Sequence, residues 1–185
     1  VKRRAFLLGT VAATAAAATS AQPSAGKLDA ALLYEQLSKE GRGFAMQPLA
    51  GPRQPVYVLF DPQCRYCMQL WHNALPLAQR VMFVWIPVGL LNERSEWQAA
   101  AIVAAADPRA TMERHETAFT GGGLDVAQHK IDSADLDSIR ANTRIFRRGG
   151  GTAVPVTVFK DRSGRPSAFA GVLAADDLRR LLGAD

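Results

Sequence analysis

The sequence predicts an α/β domain, and three observations carry that prediction. Runs rich in Val, Ile, Phe and Trp, with the length and composition of buried strands, occur at Val56–Phe60, Val81–Val88 and Val154–Phe159. Stretches of helical length separate them. A Cys-x-x-Cys, Cys64-Arg65-Tyr66-Cys67, follows the first run after a short turn. The chain has 185 residues, one ordinary domain with a little over. Its 48% apolar and 21% charged residues suffice to bury a core, which excludes wholesale disorder and collagen-like repeats.

Residues 1–21 have the parts of an export signal. Lys2, Arg3 and Arg4 open it, an apolar run follows from Ala5 to Ala18, and small residues end it at Ala21, the expected cleavage point. The run is Ala-rich and too short to span a bilayer. Lys2-Arg3-Arg4-Ala5-Phe6-Leu7-Leu8 is similar to a twin-arginine signal, with an ordinary secretory signal the alternative. Either predicts an oxidising, periplasmic location, where a cysteine pair is disulfide chemistry first. The formal charge is +5, but the leader supplies three of those charges, leaving +2. With eight Phe, three Tyr and three Trp, that gives no support for a nucleic-acid partner.

Residues 22–54 read as a helix and a linker, and 55–185 as the folded domain. Leu28, Ala31, Leu32, Tyr34 and Leu37 form a helical stripe that Gly41 stops, and Gly51-Pro52-Arg53-Gln54-Pro55 links it to the first strand. Asp61-Pro62-Gln63 turns the chain into a helix beginning at the cysteines and running toward Arg80, which Pro76 should kink or break. After the second strand come Ala-rich helix from Glu93 to Ala106, a break at Asp107-Pro108 and a further helix from Arg109 to Phe119. Ser133 to Arg148 reads as a helix capped by Ser133 and stopped by Gly149-Gly150-Gly151. A strand from Val154 to Phe159, a turn, a second strand from Pro166 to Val172 and a helix from Ala174 to Leu182 complete the chain. This order, with Cys-x-x-Cys after its first strand, is the thioredoxin arrangement with a helical insertion between the second strand and the following helix.

Cys64 and Cys67 are the candidate catalytic pair. A cysteine at a helix start meets unpaired N–H groups and the positive end of the helix dipole, so Cys64 is expected to be the nucleophile. Arg65, a nearby cation, and Tyr66 are expected to help activate the thiolate. Cys67, one turn deeper, would resolve the mixed disulfide. The alternative, an inert structural bridge, would close too small a loop to stabilise much. Position 68 is Met, so covalent haem attachment is excluded, and no second cysteine pair exists for structural zinc. His72 could join the cysteines in a metal site, but a half-exposed surface residue is the better reading, and neither metal nor cofactor is expected. His115 and His129 carry no signal. Val154-Pro155 stands where thioredoxin folds place a cis proline facing the cysteines, leaving backbone groups to hold an extended substrate. Arg140, Arg144, Arg147 and Arg148 read as a solvated helix face rather than a rim that attracts substrate.

Phe60-Asp61-Pro62-Gln63-Cys64-Arg65-Tyr66-Cys67-Met68-Gln69-Leu70-Trp71 resembles the active-site segment of the DsbC/DsbG family of periplasmic disulfide isomerases. The likeness continues through Pro87-Val88-Gly89, the stretch from Ala99 to Pro108 and Asn142 to Pro155, covering roughly Leu33 to Leu182. It implies a thiol-disulfide oxidoreductase of the DsbG-like reductase/isomerase branch, with Cys64 attacking, Cys67 resolving and Pro155 as the cis proline. It also implies protein substrates and a membrane redox partner. Family members carry an N-terminal dimerisation domain, for which residues 22–54 offer only a helix and a linker, so a monomer is expected. The family has Thr where Val154 stands. Val there resembles the oxidase DsbA, which makes net oxidation the alternative, with Cu(I) carriage by Cys64, Cys67 and His72 a further one.

Overall fold

The computed structural model describes residues 27–47 and 53–184. The export signal expected over residues 1–21, and part of the linker, lie outside them. A five-stranded sheet forms the middle layer: β1 (Phe44–Ala45), β2 (Val56–Phe60), β3 (Phe83–Pro87), β4 (Val156–Lys160) and β5 (Pro166–Ala170), in the spatial order β1-β3-β2-β4-β5. β2 and β3 are parallel and the other neighbours antiparallel, with Leu59 opposite Val156 and Tyr57 opposite Val158 in the β2–β4 pair.

β2 is buried along its whole length. Successive side chains on a strand point to opposite faces. Thus Val56, Val58 and Phe60 enter one core while Tyr57 and Leu59 enter another. Burial on both faces explains why the run has no polar member. Helix α1 (Ala30–Glu40) covers one face with Leu33, Tyr34 and Leu37. On the other lie α2 (Arg65–Ala74), α3 (Glu93–Ala104), α4 (Pro108–Thr117) and α6 (Ala175–Leu182). Helix α5 (Ser133–Arg148) serves both, sending Leu136 and Ile139 to one core and Ile145 and Phe146 to the other. This is a thioredoxin fold in which α3 and α4 form the insertion between β3 and α5. No helix among the described residues is long and apolar enough to cross a membrane.

Several boundaries differ from the sequence reading for local reasons. β1 was not expected, because two residues carry no periodicity; it pairs with the outer edge of β3, and a Cβ on the preceding Gly43 would overlap the Trp85 carbonyl oxygen. Helix α2 stops at Ala74 and passes into a single 3₁₀ turn, Leu75–Leu77, since Pro76 has no N–H to continue the ladder. Pro108, read as part of a break, is the first residue of α4, with Asp107 capping the Ala110 N–H. The cap of α5 is Asp132 rather than Ser133. Asp132 accepts from the Asp135 N–H at 2.9 Å, and Asp135 accepts from the Asp132 N–H at 3.1 Å, a reciprocal arrangement a Ser one residue later cannot make.

The cap assignment separates two substitutions. Asp132→Ala should lower stability by about 1 kcal/mol, whereas Ser133→Ala should be near neutral, as read from urea unfolding midpoints at constant m-value.

Candidate active site

β2 delivers the chain to a turn, Asp61-Pro62-Gln63, and the turn delivers Cys64 to the start of α2. Cys64 occupies the N-cap position with extended backbone (φ −94°, ψ 106°), leaving its sulfur beside the first unpaired N–H groups of the helix. Each turn residue is tied to the helical insertion. The fully buried Asp61 carboxylate accepts four hydrogen bonds: Gln63 N–H and Ser95 Oγ–H, both at 2.8 Å, on Oδ1, and Leu90 and Leu91 N–H, at 2.7 and 3.0 Å, on Oδ2. Pro62 offers its carbonyl to buried His115, whose Nε2–H donates at 2.7 Å while Nδ1 accepts from the Leu124 N–H at 3.2 Å. Those two partners fix a neutral imidazole, and burial accordingly pushes the His115 pKa down. Gln63 donates to Gln98 Oε1 at 2.6 Å and to the Gly122 carbonyl at 3.1 Å.

The two cysteines are free thiols in unequal surroundings. Cys64 is 6% exposed and Cys67 not at all. The Cys64 pKa falls from 9.0 to about 7. The Cys67 S–H donating to its sulfur is the largest cause; burial opposes the shift, and the Cys67 and Tyr66 backbone N–H groups assist it. The Asp61 charge opposes weakly. Cys67 is pushed well above the ordinary thiol value, first by burial, then by the Cys64 sulfur beside it. Cys64 is therefore both the thiol that ionises first and the one that solvent reaches. Arg65, expected to lower it through charge, is not among the groups that do so. Its guanidinium lies 4.7 Å from the Tyr66 ring centroid and donates to the Tyr66 hydroxyl at 3.1 Å. Tyr66 contributes its backbone N–H, and its side chain projects into solvent.

The Val154–Pro155 peptide bond is cis, and the Cys64 S–H donates to the Val154 carbonyl oxygen at 3.6 Å. The loop reaches this position because Gly151 packs on the Phe146 ring, where a Cβ would overlap it. A cavity of about 460 Å³ opens beside the sulfur between the start of α2, the Leu90–Leu91 segment and this loop. Arg147, read from sequence as part of a solvated face, lines it. His72 is engaged elsewhere, its Nε2 lying 2.9 Å from Oε2 of Glu116, whose carboxyl burial pushes up to about 8. Among the described residues no group of three His, Cys, Asp or Glu side chains is arranged to hold a metal ion.

Sequence reasoning missed Asp61, His115, Gln98 and Arg147. Asp61 before Pro62 signals a turn, but its partners lie up to 34 residues away, and nothing local marks them.

No family model matches the chain. Over 130 residues it is 32% identical to the thiol:disulfide interchange protein DsbG of Pseudomonas aeruginosa, spanning 69% of this chain and 50% of that protein. Over 131 residues it is 26% identical to the protein of the same name from Escherichia coli, spanning 69% and 52%. The chain thus spans about half the length of the curated relatives it matches. Among solved structures, the catalytic domain of Proteus mirabilis ScsC superimposes with a TM-score of 0.68 at 16% identity, covering 83% of this chain and 96% of that one. A periplasmic thioredoxin-like protein from Salmonella enterica serovar Typhimurium gives 0.67 at 18% identity, covering 82% and 94%.

Two measurements check the site. Alkylation of the reduced protein against pH should rise with a midpoint near 7 at Cys64, leaving Cys67 unmodified, and Cys67→Ala should move that midpoint up by removing the strongest hydrogen bond to the sulfur. A wild-type midpoint at 9.0 would remove the asymmetry argument. Asp61→Ala leaves four donors without their acceptor and should cost about 3 kcal/mol or more in urea unfolding.

Proposed function

Starting from its relationship to the DsbG thiol:disulfide interchange proteins, we propose that this chain is an exported, periplasmic thiol-disulfide oxidoreductase that acts as a monomer on cysteine-bearing proteins, in the reductive direction of the DsbG-like branch. The observation that carries the reading is the unequal pair: a Cys64 thiol near 7 at a cavity mouth, over a fully buried Cys67 held well above it. At neutral pH about half of Cys64 is thiolate, the form that attacks disulfides.

In this reading the Cys64 thiolate attacks one sulfur of a substrate disulfide. The substrate S–S bond breaks, the departing substrate thiolate takes a proton, and a Cys64–substrate disulfide forms. Cys67, losing its proton, then attacks the Cys64 sulfur, the second substrate thiol leaves protonated, and a Cys64–Cys67 disulfide remains. The substrate has gained the two electrons the dithiol lost, and a dithiol partner at the membrane returns them. Ionisation also prepares the docking site. A Cys64 thiolate has no proton to give Val154, so the Val154 carbonyl is released to accept an N–H from an extended substrate held beside Pro155.

The thiol pKa favours reduction. Strongly oxidising pairs have an attacking thiol near about 3.5, because their reduced form is strongly stabilised, whereas that of thioredoxin is near about 7. Net oxidation is the second reading, favoured by Val154, which cannot donate a hydrogen bond to a sulfur as the family's Thr can. Equilibration with glutathione buffers separates them: reduction requires a potential nearer about −270 mV, oxidation one nearer about −120 mV. Cys67→Ala should accumulate substrate proteins in a dithiothreitol-sensitive link to Cys64. Absence of such adducts, with Cys64→Ala giving the same background, would end both readings.

A further inference from the structure

Two cations line the cavity beside Cys64, and they come from different helices. Arg65 belongs to the first turn of α2 and Arg147 to the last turn of α5. Among the described residues no Asp or Glu lines the cavity. Among the described residues neither guanidinium is in an ion pair, although Arg140, earlier on α5, is held by Glu96 and Asp137. The cavity rim is also apolar, with Tyr66 50% and Leu91 55% exposed. Exposed aromatic and aliphatic side chains beside uncompensated cations favour a ligand that is apolar at one position and negative at another.

We infer that this cavity selects cysteine-bearing segments with an acidic residue close to the reacting cysteine, its carboxylate received between Arg147 and Arg65 and an apolar neighbour covering Tyr66 and Leu91. The inference rests on the exchange chemistry proposed above and adds to it a substrate class. Arg147 is the principal specificity residue, because its side chain makes no hydrogen bond among the described residues, while Arg65 is engaged with the Tyr66 hydroxyl. The same cations also draw acidic segments into encounter, and salt screens that attraction.

The test uses three short peptides, each with one cysteine capped as a neutral disulfide with 2-mercaptoethanol and flanked by Glu, Gln or Lys. Each is mixed with excess reduced full-length protein in a single turnover. Cys64 and Cys67 supply both electrons, and one peptide thiol and one mercaptoethanol leave. Each rate is divided by that of the same peptide with dithiothreitol, which removes the intrinsic effect of the flank on its disulfide. The Glu peptide is expected to react about tenfold faster than the Lys peptide at low salt, with the ratio shrinking in 0.5 M salt. Arg147→Glu should bring the ratio to one or below. Arg144→Glu makes the same change in net charge on an exposed α5 residue that does not line the cavity, and should leave the ratio near wild type.

If the Gln peptide is reduced but Glu and Lys peptides differ by less than twofold, or if both variants change the ratio equally, selection by this cavity is wrong and the exchange reading stands. If no peptide is reduced, the exchange reading fails and the selection falls with it.

Discussion

The site depends on one buried carboxylate. Asp61 ends the central strand's run and begins the turn into the cysteines, and it takes hydrogen bonds from its own turn, from the segment after β3 and from α3. A carboxylate removed from water persists only when its lone pairs are filled, so these four donors and the turn geometry determine one another. His115 and Gln98 repeat the arrangement at the next two residues of the turn. The helical insertion therefore braces the approach to the cysteine pair from below, through neutral or acceptor groups rather than through cations. The position of Cys64 at the mouth of α2 is a product of that bracing as much as of the helix itself.

The acidity of Cys64 follows the same logic of short-range donors. The sequence pointed to the unpaired N–H groups of the helix start, and to a formal charge, Arg65, beside them, as the neighbours that would favour a thiolate. In the fold the charge turns outward onto Tyr66, and the work is divided between a thiol and two backbone amides aimed at the sulfur. Donors fixed by helix geometry act at contact distance in a poorly hydrated site, whereas an exposed guanidinium on a flexible stem is screened by water. Burial of Cys67 separates the two thiols further, since it penalises the second charge more than the first.

What was legible in the sequence was what local pattern determines. Val56–Phe60 could be read as a central strand because two-sided burial leaves an unbroken apolar run, and Cys64-Arg65-Tyr66-Cys67 after it fixed the topology to be expected. Helix ends were legible to within a few residues, but Asp132 and Ser133 are adjacent and both are good caps, and only the partner three positions on decides between them. Asp61, His115 and Arg147 were opaque for a different reason. Each acquires its role from residues tens of positions away, and a single buried His or one Arg among four on a helix has no periodic or compositional mark.

The pairing of β2 with β4 has a further consequence for the gap in which chemistry would occur. Leu59 lies opposite Val156, so the chain leaving β2 and the chain entering β4 meet at a fixed offset, and the 3.6 Å approach of Cys64 to Val154 inherits that offset. A strand advances about 3.3 Å per residue, so a slip of two residues, the smallest that keeps the same side chains in the same core, would carry the two apart by about 7 Å. Sheet register thus serves as the gauge of the gap between Cys64 and Val154. The alternation that sends Tyr57 and Leu59 to one face and Val58 and Phe60 to the other also specifies the distance between the Cys64 sulfur and the Val154 carbonyl.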